Sequence, residues 1–175
     1  MLALYDAFAQ VRNFLEAGGP VLKWIMLTAF VLWLLVIERA IYFSGPVKKE
    51  IQKVLATWEA RDERTSWNAH QIRRAMISQV TMDVNRGMSL IKTLTAMCPL
   101  LGLIGTVTGM ITVFDVMAVM GSGNVRAMAA GVSQATIPTM SGLVVALSGL
   151  FATTFLERRA TKEAQLLEDH LTMDH

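Results

Sequence analysis

C-P-L-L-G-L-I-G-T-V-T-G-M-I-T-V-F, from Cys98 to Phe114, is apolar yet crowded with glycine and threonine, and it carries no formal charge until Asp115. Gly102, Gly105 and Gly109 fall at i, i+3 and i+7, so on a helix they share one face. A glycine inside a helix in water costs about 1 kcal/mol relative to alanine. In an apolar span its use is different: it lets a neighbouring helix approach closely, where association rests on packing and inter-helix hydrogen bonds. Thr106 lies four residues after Gly102 and three before Gly109, so its hydroxyl belongs to the same narrow strip. The stretch reads as a helix to be packed against, with a polar group placed inside the packing.

The rest of the chain agrees with a membrane setting. Of 175 residues, 53% are hydrophobic and 17% charged, and the mean hydropathy is +0.44, whereas a soluble domain is usually about a quarter charged. The net charge of +2 is too small to imply nucleic acid. The single cysteine, Cys98, excludes an internal disulfide and reads as a small buried apolar residue. His70, His170 and His175 are scattered outside the apolar spans, and no Cys, His and carboxylate set has metal-ligand spacing. There is no Walker A, no G-x-S-x-G and no zinc signature. No metal, organic cofactor or covalent catalysis is expected.

Working outward, residues 1–17 are amphipathic, with Leu4, Phe8, Val11 and Leu15 at helical spacing. Asp6 comes early and no small-residue cleavage site follows, so the segment reads as an interfacial or surface helix rather than a signal peptide. Gly18-Gly19-Pro20 breaks it. The first span is Val21 to Ile37, closed by Glu38-Arg39, with Trp24, Trp33, Tyr42 and Phe43 as interface anchors and Lys23 able to snorkel. Residues 44–95 form a polar insert. Val47, Ile51, Val54 and Trp58 mark one stripe, and Ile72, Met76, Val80, Val84, Met88 and Ile91 a second that runs into the next span, with the charged break Arg61-Asp62-Glu63-Arg64 between them. Two packed helices are expected there.

The second span is 97–120, with Pro99 in its first turn, where proline is tolerated. Gly121-Ser122-Gly123-Asn124 is a tight turn, and the third span covers 125–156, with Pro138 predicting a kink. Ala160, Ala164, Leu167 and Leu171 continue its stripe through a tail, 157–175. The insert and tail are rich in Lys and Arg, and the positive-inside rule places both in the cytoplasm and the N-terminus outside. The expected fold class is an all-α integral membrane protein with three transmembrane helices and long cytoplasmic helical extensions.

The third span carries two strips. Gln134, Ser141 and Ser148 repeat every seven residues, and Thr139, Gly142, Ala146, Gly149 and Thr153 form an adjoining row of small residues. Polar groups in hydrocarbon must face protein or a water-filled cavity. With Thr106 they line a pore or hold helices together, and spacing alone leaves both open.

P-L-L-G-L-I-G-T-V-T-G-M-I at 99–111 and G-V-S-Q-A-T-I-P-T-M-S-G-L at 131–143 resemble the ExbB/TolQ/MotA family, its ExbB members most. The resemblance implies a homo-pentameric ring in the bacterial inner membrane. Two single-span ExbD-like subunits would thread the central pore, each with a titrating aspartate, and work would pass to a TonB-like protein. Protons would be the coupling ion, and iron-siderophores typical cargo of the outer-membrane transporters so energised. The family's paired threonines fall on Thr106 and Thr139, and its third-span glutamate falls on Gln134, which cannot titrate. The resemblance therefore leaves the acid to the partner and a polar lining to Thr106, Thr139, Gln134, Ser141 and Ser148. Glu38 and Asp115 are the nearest carboxylates, and both read as solvated or ion-paired at span ends. A TolQ-like role in the Tol-Pal envelope system and a non-conducting scaffold are the alternatives.

Overall fold

In the computed structural model, residues 2–61, 63, 66–121 and 124–170 are described. Asp62 and Arg64 of the charged break, Ser122 and Gly123 of the tight turn, and Leu171 and His175 of the tail lie outside these residues, as do the side chains of Leu4 and Phe8. The described residues form helices only, in the order α1 (Leu2–Ala17), α2 (Gly19–Ser44), α3 (Pro46–Glu59), α4 (Trp67–Asn85), α5 (Met88–Met120) and α6 (Val125–His170). Three apolar helical stretches, within α2, α5 and α6, are long enough to cross a bilayer.

The helix boundaries follow local chemistry. Pro46 opens α3, where a missing N–H costs nothing. Ser66 caps α4 by accepting the Ala69 N–H at 3.2 Å. Gly87 at φ +79° and Gly121 at φ +72° end α4 and α5 in the left-handed region that L side chains avoid. Gly87 is also why the stripe from Ile72 to Ile91 does not form one helix: it is cut between Asn85 and Met88. Pro99, expected in a first turn, lies well inside α5, because that helix starts at Met88. Likewise α2 does not stop at Glu38-Arg39 but continues to Ser44.

The chain divides into two compact units. The first comprises residues 1–33 and 93–150. Its charged residues are only Asp6, Arg12, Glu16, Lys23, Asp115 and Arg126. Here α5 and α6 are antiparallel. Gly109 faces Ala135, Gly105 faces Pro138, Gly102 faces Thr139 and Cys98 faces Gly142, so one number falls as the other rises. The first part of α2 runs parallel to α6, with Gly19 against Gln134 and Leu32 beside Gly149. Leu22, Ile25, Leu32 and Cys98 are fully buried. Leu103, Ile104, Val107, Leu143, Val144 and Leu147 are all exposed, an apolar surface that hydrocarbon or other chains must cover.

The second unit comprises residues 34–92 and 151–175. In it α3 and α4 pack together. Val47, Trp58, Val80, Val84, Met88, Ile91, Leu156, Ala160 and Leu167 form its core. Arg73 donates through Nη2 to the Glu168 carbonyl at 2.9 Å, and Lys92 pairs with Glu157.

A methyl group added at Gly109 would lie 2.5 Å from the Ala135 backbone, whereas one at Gly45 would meet nothing within 4 Å. Gly109→Val should therefore destabilise the protein by about 1–3 kcal/mol through overpacking, and Gly45→Ala should cost less, through the poorer N-cap of α3 and with no collision. Thermal unfolding in detergent with a helix-sensitive signal distinguishes the two.

Candidate functional site

The candidate site is the seam between α5 and α6. Its geometry begins with what the glycines lack. A Cβ at Gly102 would sit 2.9 Å from Thr139 Cα, one at Gly105 would sit 2.8 Å from Pro138 Cγ, and one at Gly142 would sit 2.5 Å from the Cys98 carbonyl oxygen. At Gly102 and Gly142 the two backbones therefore approach with no side chain between them, while at Gly105 the Pro138 ring fills the gap. Gly149, one helical repeat further along α6, lies against Thr95 and Leu32.

Close approach brings a hydroxyl to a backbone acceptor on the other helix. Thr139 Oγ1 donates to the Gly102 carbonyl at 2.9 Å. Thr106, one turn beyond Gly102 on α5, donates to its own helix instead, to the Leu103 carbonyl at 2.7 Å. Both threonines are half-buried. Pro138 is buried beside Gly105, and its ring has no N–H to offer the Gln134 carbonyl one turn earlier. The Gln134 side chain is half-buried and its amide nitrogen lies over Gly19, at the start of α2.

Ser141 and Ser148 turn back on α6, donating to the carbonyls of Ile137 at 2.9 Å and Val145 at 2.8 Å. Ser141 also borders an apolar cavity of about 550 Å³ between α1, α2 and α6, lined by Phe14, Ile25 and Val144 among others. The fold thus brings Thr139, Gly102, Gly105 and Pro138 together, and places Gln134, Ser141 and Ser148 along α6. Cys98 is buried, with its thiol donating to the Leu94 carbonyl at 3.2 Å. Among the described residues no group of His, Cys, Asp and Glu could hold a metal ion.

Sequence reasoning passed over a further polar stripe. Thr108 and Thr112 are exposed on α5, and Thr112 donates to the Thr108 carbonyl at 3.1 Å. Asp115 follows on the same face, also exposed. The i, i+4, i+7 spacing was the available signal, masked by the glycine strip that shares the helix.

A family model described as the MotA/TolQ/ExbB proton channel family matches residues 43–169. The chain is 40% identical over 70 residues to an ExbB-like biopolymer transport protein of Synechocystis sp., covering 38% of this chain and 28% of the relative. It is 33% identical over 85 residues to the biopolymer transport protein ExbB of Xanthomonas campestris pv. campestris, covering 49% of this chain and 34% of the relative. The match spans about a third of the length of these relatives.

Gly19 has φ +69°, and a Cβ there would lie 2.5 Å from Gln134 Nε2. Gly19→Ala should cost about 1–3 kcal/mol through left-handed strain and collision together. Combining it with Gln134→Ala should cost less than the sum of the two changes, because the shorter side chain removes the collision. Additive unfolding free energies in this double-mutant cycle would contradict the contact.

Proposed function

The chain belongs to the MotA/TolQ/ExbB proton channel family, and on that premise we propose that it is the ring-forming membrane component of a proton-driven motor of the ExbB kind. Five copies surround a central pore in the bacterial inner membrane, with the N-terminus outside and the basic insert and tail in the cytoplasm. Two ExbD-like subunits stand in the pore and contribute the titrating aspartates. A TonB-like protein carries the work to outer-membrane transporters for iron-siderophores and similar cargo.

The observation that carries this proposal is the coincidence of the family match with the threonine-bearing seam. Residues 43–169 include both halves of that seam, and within it Thr139 bonds to α5 through the Gly102 carbonyl. Gln134 can donate and accept hydrogen bonds but cannot take up a proton, so in this proposal a carboxylate from another chain supplies the titrating step. Thr106, Thr139, Gln134, Ser141 and Ser148 are then the polar lining, and the glycines set how closely the helices of one subunit hold that lining together. One charge moved through 100 mV delivers about 2.3 kcal/mol, so several protons per step suffice to reorient a partner within the ring. No covalent step is involved.

The test compares Thr139→Val with Thr139→Ser in cells that depend on TonB-linked iron-siderophore uptake. Valine keeps the shape and removes the hydroxyl, so uptake should fall to background while the native mass of the complex in detergent stays unchanged. Serine should retain most of the uptake. Normal uptake by the valine variant would refute the polar lining. Envelope leakage with normal uptake would reassign the chain to a TolQ-like role, and proton flux into liposomes without any partner would make it an autonomous channel.

A further inference from the structure

Within the second unit, the end of α2 carries a feature that proton conduction does not use. Arg39 is 9% exposed. Its Nη1 donates to the Asp83 carbonyl at 3.4 Å, its guanidinium lies 5.2 Å from the centre of the Tyr42 ring, and Gly87 leaves room beside it. Its buried Nε has no hydrogen-bond partner among the described residues. The Glu38 carboxylate forms an ion pair with this Nε at 3.3 Å without the alignment of a hydrogen bond. The ion pair offsets the buried charge but leaves that N–H without a well-formed hydrogen bond.

Arg39 borders a polar cavity of about 470 Å³, which is also lined by Glu38, Tyr42, Glu50, Asp83 and Arg86. Two guanidiniums face three carboxylates. The Glu50 carboxylate accepts the Tyr42 hydroxyl at 2.8 Å, and Arg86 is exposed at the rim. Sharing Glu38 and Tyr42 with this cavity is an apolar groove of about 460 Å³, formed by Leu34, Ile37, Ile41 and Pro46. Ile37 and Ile41 are each more than half exposed. A charged pocket therefore borders an apolar trough where Glu38 and Arg39 interrupt the apolar stretch of α2 that follows Lys23.

We infer that this pair of cavities is a binding site for one phospholipid with a zwitterionic phosphoethanolamine headgroup. The phosphate sits between Arg39 and Arg86, the ammonium sits against Glu50 and Asp83, and an acyl chain lies along Leu34, Ile37 and Ile41. Charge selects the headgroup. An anionic headgroup would be held by the arginines but would leave the carboxylates unmatched in a pocket whose net formal charge is already negative. A purely cationic ligand would meet both guanidiniums. Only a ligand with both signs satisfies both sets, and charge-assisted hydrogen bonds are the strong ones. The inference rests on α2 crossing the bilayer and not on proton transfer, so failure of the uptake experiment leaves it standing.

The test is native mass spectrometry of the full-length protein in mild detergent, titrated with phosphatidylethanolamine or with phosphatidylglycerol of the same acyl chains. Wild-type protein should retain the first about tenfold better than the second. Glu50→Gln, which keeps an acceptor for Tyr42 but removes the charge, should erase most of that preference. Arg86→Ala should weaken retention of both lipids. Circular dichroism and native mass must match wild type for each variant, and Arg39, which is packed into the unit, is left intact. Equal retention of the two lipids by wild type, or a preference unmoved by Glu50→Gln, would overturn the inference. So would an Ile41→Cys protein that forms a disulfide-linked dimer through the groove in membranes, since a second copy would then occupy it.

Discussion

Everything in the first unit depends on the contact of two helix backbones. At Gly102, Gly109 and Gly142 the backbones of α5 and α6 approach more closely than a Cβ on the glycine allows, and at Gly105 the Pro138 ring takes the place of one. Each glycine gives up helix propensity, about 1 kcal/mol in water. In hydrocarbon the exchange is different, because lipid supplies no hydrophobic drive for helices to associate and packing must do it. Close backbones also give Thr139 an acceptor across the seam. The same contact that holds the helices together thus fixes the polar group on which conduction is proposed to depend.

Proline sits in that seam for a related reason. Pro138 fills the space that Gly105 leaves open, and it withdraws a backbone donor from the turn that contains Gln134. Helix-breaking residues are tolerated in membrane helices where neighbouring groups re-satisfy the backbone. Gln134 itself reaches toward Gly19, so its amide is engaged within its own chain. An amide held in this way shapes a site without changing its charge.

The second unit works by other means. Its core is built from ordinary large side chains, Trp58, Ile91, Leu156 and Leu167 among them, and charged residues secure its edges through Arg73, Lys92 and Glu157. Where such side chains leave water, burial of apolar area supplies the drive, at about 25 cal/mol per Å². Arg39 and Arg61 are the exceptions, each a cation with one buried N–H that lacks a hydrogen-bond partner, and of the two it is Arg39, ion-paired with Glu38, that borders a charged cavity.

Composition and period by themselves determined the helical class, the three apolar stretches, the glycine face and the stripes of the insert, because burial in either solvent imposes a repeat that can be counted along the chain. The threonines at 106 and 139 could be named from the same pattern. Their hydrogen-bond partners could not: a hydroxyl has the same spacing whether it bonds to its own helix, as Thr106 does, or to the next one, as Thr139 does. The break at Gly87 was likewise hidden inside an unbroken stripe, since one residue's φ angle leaves no trace in hydropathy. The Arg39 cavity draws its walls from α2, α3 and α4, residues far apart in the chain. Only folding decides which charges meet, because complementarity between distant side chains is a property of packing in space and not of order along the sequence.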